Sequence, residues 1–161
     1  MNKLIVKNII DEDFTNYHKC SMIIGFPHCT FKCEKDCGVQ GLCQNSALAK
    51  SPNIDIPVTK LIERYASNPL TQAIVCAGLE PFDDFDDLIF LVQQFRLFTE
   101  DDIVIYTGYY ADEILPELRK LKRFSNIVIK FGRYIPNQEK HYDEVLGIYL
   151  ASDNQSAIRI S

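Results

Sequence analysis

QAIVCAG, residues 72–78, is a continuous apolar run that ends in glycine. Such a run is typical of a strand that is buried on both faces of a parallel sheet. Apolar side chains follow a helical period on either side of it, over residues 58–66 before the run and 83–98 after it. The order of helix, buried strand and helix predicts a βα unit at the centre of the chain.

The same alternation continues outward in both directions, with a further helix predicted over residues 112–122. Five other segments are rich in branched apolar residues and predict strands: LIVKNII (4–10), CSMIIG (20–25), DIVIYTG (102–108), NIVIKFG (126–132) and EVLGIYLAS (144–152). Strands that alternate with helices indicate an α/β fold of mostly parallel strands. Five to six strands are too few for a closed eight-stranded barrel of about 250 residues.

Length and composition describe an ordinary globular protein. The chain has 161 residues, of which 47% are apolar and 24% charged, with a formal net charge of −5. This length predicts a single domain over residues 1–161. The acidic balance predicts no nucleic-acid partner. The first residues, MNKLIVKNIIDED, fit neither a signal peptide nor a membrane span, so we expect a cytoplasmic protein with no membrane partner.

Polar residues directly follow the predicted strands. Gly78-Leu79-Glu80-Pro81 follows the central strand, and Thr107-Gly108-Tyr109-Tyr110 follows the next one. Two more clusters occupy residues 131–133 and 152–155. Ligands of parallel α/β folds bind at the carboxyl ends of the strands. The sequence therefore predicts that these clusters meet at one cleft.

The segment GFPHCTFKCEKDCGVQGLCQN, residues 25–45, contains four of the six cysteines: Cys29, Cys33, Cys37 and Cys43. Thiolates this dense, beside several glycines, predict a metal or cluster site. Structural zinc sites typically use two short pairs with a longer gap between them, and no second distant pair exists here. Partly buried, reduced thiols are the alternative.

Cys-Thr-Phe-Lys-Cys with the later Cys-Gln-Asn resembles the cluster loop of radical SAM proteins, specifically the small activating proteins of anaerobic ribonucleoside-triphosphate reductase. That family has three cysteines at spacings of three and two residues. Here Asp36 follows Cys33 after two intervening residues, Cys37 comes one place late, and Cys43 carries the residues that match the third family cysteine. The resemblance implies that Cys29, Cys33 and Cys43 are ligands, with Cys37 as the alternative third ligand.

The same resemblance implies a [4Fe–4S] cluster with one open iron, an open partial βα barrel, and S-adenosylmethionine (SAM) as second cofactor. Two further motifs carry it. Gly78-Leu79-Glu80-Pro81 resembles the family's glycine-glycine-glutamate-proline segment, and Ile105-Tyr106-Thr107-Gly108-Tyr109 resembles its Thr-Gly-Tyr strand end. The SAM-binding residues implied in this way are Leu42, Gln44, Gly78, Leu79, Glu80, Thr107, Gly108, Tyr109 and Lys130.

Chemistry at two of these positions can be argued from the residues. A carboxylate at Glu80 faces the cleft mouth and accepts hydrogen bonds from an ammonium, whereas the alternative is a Gly-Pro turn with Glu80 in solvent. Lys130 lies inside an apolar strand and needs a partner if it is buried, either the SAM carboxylate or a structural carboxylate.

The resemblance implies a radical SAM activase that forms a glycyl radical on a partner enzyme. The leading partner is anaerobic ribonucleotide reductase, with an electron donor such as flavodoxin or ferredoxin. Two alternatives stay open from the sequence. One is a radical SAM enzyme that acts on a small molecule or peptide, and the other is a non-enzymatic zinc-binding interaction domain.

Overall fold

The computed structural model describes residues 3–29, 35, 36, 38 and 46–161. The strands formed by these residues are β1 (Lys3–Val6), β2 (Asn8–Asp13), β3 (Ser21–Phe26), β4 (Ile54–Pro57), β5 (Ala73–Gly78), β6 (Asp102–Tyr106), β7 (Ile127–Phe131), β8 (His141–Asp143), β9 (Ile148–Leu150) and β10 (Ser156–Arg159). The α-helices are α1 (Ser46–Ala49), α2 (Val58–Ser67), α3 (Phe85–Phe98) and α4 (Leu115–Leu121), with short 3₁₀ turns at Pro81–Asp84 and Ala111–Glu113.

Six strands form the main sheet, in the order β10-β7-β6-β5-β3-β2. The four central strands are parallel: Ser21 pairs with Ala73, and β5, β6 and β7 continue side by side. The outer strands β2 and β10 run antiparallel to their neighbours. The predicted α/β fold with mostly parallel strands is therefore confirmed. The described strands form an open sheet and no barrel, so the partial barrel stays a prediction.

Both faces of the sheet are buried, as the unbroken apolar strands predict. Ile74 and Cys76 of β5 belong to a core shared with α2, α3 and α4, while Ala73 and Val75 point into a second core on the opposite face. Tyr17 and Leu150 help to cover that second face. Helices α2, α3 and α4 therefore lie on one side of the sheet, and the second core lies on the other.

The helices begin and end where local chemistry requires. α2 buries Val58, Leu61 and Tyr65 along one face, as its pattern predicts. The helix predicted over residues 112–122 starts later, at Leu115, because Pro116 in its first turn cannot donate a backbone hydrogen bond. Within the described part of the chain, no helix is long and apolar enough to cross a membrane.

The prediction of one strand over residues 4–10 is wrong, because the chain changes partners at Lys7. β1 pairs with β4 in a separate two-stranded sheet, whereas β2 pairs with β3 in the main sheet. The Lys7 N–H donates to the Gly25 carbonyl at 2.7 Å, which fixes the junction. Partner choice is a tertiary property that a run of branched residues does not encode.

The prediction that residues 144–152 supply the last strand is also wrong. β9 lies in a local hairpin with β8, because the turn after Asp143 closes through the Gly147 N–H, which donates to the Asp143 carbonyl at 2.8 Å. The main sheet is completed by β10, where Ser156 pairs with Phe131 of β7. Since β10 is antiparallel, the residues just before it still lie at the carboxyl end of β7.

Candidate functional site

A cleft of about 500 Å³ opens at the carboxyl ends of the parallel strands. This volume lies within the range of sites for small ligands and cofactors, roughly 300–1,000 Å³. Eight residues named from the sequence line it: Cys29, Gly78, Leu79, Glu80, Thr107, Gly108, Tyr109 and Lys130. The predicted convergence of the strand ends on one cleft is confirmed.

Gly78 sets the path of the segment after β5. Its φ is +84°, and a Cβ there would lie 2.6 Å from Gly25 Cα and from the Phe26 nitrogen, so only glycine fits. Leu79 N–H then donates to the Phe26 carbonyl at 3.1 Å, and Glu80 N–H donates to the His28 carbonyl at 2.8 Å. The backbone just before the first cysteine is thereby fixed against the Glu80 segment.

The Glu80 carboxylate lies at the base of the cleft and is only 5% exposed. Oε1 accepts from Phe82 N–H at 3.1 Å and from Thr107 Oγ1 at 2.8 Å, and Oε2 accepts from Gly108 N–H at 2.8 Å. Burial raises the pKa of Glu80 to about 7, although these three hydrogen bonds favour the charged form. The alternative of a solvated turn residue is therefore wrong: Glu80 joins the ends of β5 and β6.

The Thr-Gly-Tyr segment forms the wall next to Glu80. Thr107 Oγ1, besides donating to Glu80, accepts from Tyr109 N–H at 3.0 Å. The Tyr109 hydroxyl donates to Asp83 Oδ1 at 2.6 Å, which holds the ring in place. At Gly108, an added Cβ would come no closer than 3.6 Å to any neighbour, so a side chain as small as that of alanine fits there without a clash.

Lys130 brings a positive charge to the same wall. Its side chain is buried at 7% exposure, and Nζ donates to the Gly132 carbonyl at 3.0 Å. Nζ also lies 5.7 Å from the centre of the Tyr106 ring, within the range of a cation–π contact. A buried lysine and a buried glutamate therefore line one cleft.

Arg133, which the sequence placed only in a polar cluster, is a further residue of the site. Its guanidinium donates from Nη2 to Glu113 Oε2 at 2.6 Å and lies 4.9 Å from the centre of the Tyr110 ring. Its Nε forms an ion pair with Asp36 Oδ2 at 3.0 Å. The sequence feature that could have identified it is an arginine that follows a buried strand after one glycine, at the sheet edge where ligands bind.

Other lining residues carry no signal in the sequence. Lys140 and Tyr149 lie at the cleft because the β8–β9 hairpin packs back against the sheet. Nothing in their local sequence indicates that they approach β5 and β6. Only the tertiary structure brings them there.

Comparison with known families identifies the chain. The sequence pattern of the family described as "4Fe-4S single cluster domain" matches residues 19–158, which is most of the length of this chain. The chain belongs to this family. Membership in the 4Fe-4S single cluster domain family supports iron–sulfur binding and the predicted [4Fe–4S] cofactor. The comparisons with curated proteins and with solved structures find no match.

In the described part of this 4Fe-4S single cluster domain, one predicted cluster ligand, Cys29, lies at the cleft. Cys29 lies at the start of the cysteine segment and Leu48 just beyond its end, and both line the cleft, while Asp36 pairs with Arg133 at its rim. Thiolates are the usual ligands of such clusters. The predicted residues Cys33, Cys37, Cys43, Leu42 and Gln44 lie outside the described residues.

The two cysteines outside residues 25–45 lie elsewhere in this 4Fe-4S domain. Cys76 is fully buried, and burial raises the pKa of its thiol to about 12, so it stays protonated in the core. Cys20 is half-buried just before β3 and does not line the cleft. His28 is largely exposed, with Nδ1 2.6 Å from Asp84 Oδ1.

Proposed function

We propose that this protein is a radical SAM activase, which generates a glycyl radical on a partner enzyme. One observation carries the proposal: every described residue that the sequence assigned to cluster or SAM binding, including Cys29, lines the same cleft. Membership in the 4Fe-4S single cluster domain family supports the presence of the cluster. The proposal includes the open partial βα barrel that the resemblance implies for this chain.

A bound, reduced cluster would supply the one electron needed to break the sulfonium C–S bond of SAM with release of methionine, and the 5′-deoxyadenosyl group would take a hydrogen atom from the partner's glycine. The role of the chain's own residues is to bind and orient SAM. Glu80, at the base of the cleft, accepts from the amino group of SAM, and Gly108 beside it adds no side chain to the cleft. Lys130 places a cation on the same wall for the carboxylate of SAM.

The leading partner is anaerobic ribonucleotide reductase, and the electron donor is a flavodoxin or ferredoxin. Support for this partner is the Thr-Gly-Tyr strand end, which resembles that of the reductase activators. The cleft rim includes Tyr149, whose side chain is largely exposed and free to contact a partner segment. A radical SAM enzyme acting on a small molecule or peptide is the alternative, whereas the 4Fe-4S family match disfavours a zinc-binding domain.

The test uses protein that is purified without oxygen, reconstituted with iron and sulfide, reduced, and incubated with SAM and the reductase. We expect 5′-deoxyadenosine and a doublet radical signal on the reductase, which disappears when the receiving glycine is changed to alanine. Cys29→Ser should lose both products, because it removes a thiolate at the cleft. Cys20→Ser is the matched control and should keep both, because Cys20 lies away from the cleft.

Each failure has a distinct meaning. Absence of iron after reconstitution would contradict the cluster itself. SAM cleavage without a radical on the reductase would reject that partner and direct the search to other glycyl radical enzymes. A bound cluster without SAM cleavage would reject the radical SAM assignment.

A further inference from the structure

Asp36 occupies an unusual position in the cysteine segment. In the family that the segment resembles, two residues separate the second and third cysteines, which corresponds to position 36 here, and this chain has aspartate there. The side chain of Asp36 is 59% exposed, yet its Oδ2 lies 3.0 Å from Nε of Arg133. The carboxylate at the expected ligand position therefore contacts a cation from the sheet.

Arg133 is held rigidly and is itself almost buried, with 10% of its side chain exposed. Nη2 donates to Glu113, and the guanidinium lies against the ring of Tyr110. The Asn154 amide donates both to the Tyr110 hydroxyl at 2.8 Å and to the Arg133 carbonyl at 2.7 Å. A buried guanidinium requires carboxylate partners, and its planar fork suits two of them at once.

The ion pair divides the cysteine segment. Asp36 lies seven residues after Cys29 and twelve before Leu48, and both of these residues line the cleft. A restraint at one point of a segment reduces the conformations that the segment can adopt. The four cysteines lie on both sides of this point in the sequence.

We propose that Arg133 is a positioning residue for the iron–sulfur ligands. By pairing with Asp36 at the rim of the cleft, it keeps this carboxylate out of the ligand set and gives the cysteine segment one fixed point. The inference rests on the proposed function only in requiring that the cysteine segment hold a cluster. It explains how the chain accommodates an aspartate at the position where the family it resembles has a cysteine.

The test compares Asp36→Asn, Arg133→Lys and the double variant with wild type. Lysine keeps the charge but lacks the fork that reaches Glu113 and Asp36 together. Asp11→Asn is the matched control, because it removes another Asp–Arg pair, with Arg64, that does not line the cleft. Two quantities are measured: iron release from reconstituted protein to a ferrous chelator, and hydrogen exchange over residues 25–45 in the metal-free chain.

We expect all variants to bind four irons, as wild type does, since no ligand is removed. Asp36→Asn and Arg133→Lys should release iron roughly three- to five-fold faster, the factor that a partly exposed ion pair supports. They should also exchange faster over residues 25–45. The double variant should be no faster than either single one, and Asp11→Asn should match wild type.

If Asp36→Asn bound fewer than four irons, or showed the electron paramagnetic resonance signal of a three-iron cluster, Asp36 would be a ligand and the proposal would be overturned. Unchanged iron release and exchange would also overturn it. If wild type itself bound no iron, the proposed function would fail, but exchange in the metal-free variants would still decide whether Arg133 restrains the segment.

Discussion

At the scale of single residues, Glu80 shows two opposing effects on one carboxyl group. Hydrogen bonds from Phe82, Thr107 and Gly108 stabilise its charged form, while removal from water destabilises that form. Burial is the larger effect, because the pKa is raised to about 7. A carboxyl group poised near neutral pH at the base of a cleft is a common feature of functional sites.

This shift predicts how the stability of the metal-free protein depends on pH. The pKa of Glu80 in the folded protein lies above the ordinary value of 4.5. The stability that the protonated Glu80 carboxyl contributes is therefore fully present below about pH 4.5 and is lost as the pH rises through 7. The loss is about 3 kcal/mol at most, from roughly 1.4 kcal/mol for each pKa unit. Urea unfolding at pH 5 and pH 8 measures it, and Glu80→Gln should remove this part of the difference.

The same variant separates the two roles of Glu80. If the carboxylate also binds the amino group of SAM, Glu80→Gln should retain its cluster and bind SAM more weakly by about 1.5–3 kcal/mol. Unchanged SAM affinity together with a flattened pH dependence would leave Glu80 as a purely structural link between β5 and β6.

At the scale of elements, the end of β5 determines where the functional segment runs. Gly78 turns the chain through a positive φ while its Cα packs against the backbone of β3. This contact lets the next two residues hydrogen-bond to the chain before Cys29. One backbone geometry thus aligns two predicted motifs that lie about fifty residues apart in the sequence.

Substitution of the two cleft glycines should therefore have different consequences. Gly78→Ala should lower the free energy of unfolding by about 2–4 kcal/mol, because a left-handed conformation and a clash with backbone are both imposed. Gly108→Ala is the control, since its Cβ would meet nothing closer than 3.6 Å, and its stability should stay within about 0.5 kcal/mol of wild type. Denaturant unfolding measures both, and equal losses would contradict the argument.

At the scale of the whole molecule, the two edges of the sheet have different tasks. The carboxyl edge carries the cleft, and the opposite edge carries an ionic cluster around Asp102. This buried carboxylate accepts from Tyr17 at 2.7 Å and from Lys19 and Arg159 at 3.0 Å each. It connects the chain before β3 to the first residue of β6 and to β10.

Asp102→Asn should destabilise the protein without affecting the cleft. Burial alone would raise the pKa of Asp102, but the hydrogen bonds from Arg159, Tyr17 and Lys19 outweigh it and lower the pKa to about 2. The folded pKa is therefore depressed, and the stabilisation of about 2 kcal/mol is present above pH 4 and lost as the pH falls toward 2.

Urea unfolding at pH 7 should show this loss in Asp102→Asn, and the difference from wild type should shrink toward pH 2. SAM affinity should not change. A variant with altered SAM binding but normal stability would contradict the separation between the two edges.

Local sequence determined the elements and the edge that carries the site. The apolar run of β5 and the periodic faces of α2 and α3 are confirmed, because strand and helix periods depend on near neighbours. The polar residues after β5 and β6 were assigned to one cleft for a similar reason. Parallel strands place their carboxyl ends at the same edge whatever the details of the loops.

Only the tertiary structure decided which strands pair and which side chains meet. The division of residues 4–10 between two sheets, and the completion of the main sheet by β10, depend on partners far along the chain. The burial of Glu80 and the Asp36–Arg133 pair likewise arise from contacts between distant segments. Burial, pKa and ion pairing are properties of a packed environment, and the sequence alone supplies the groups but not their surroundings.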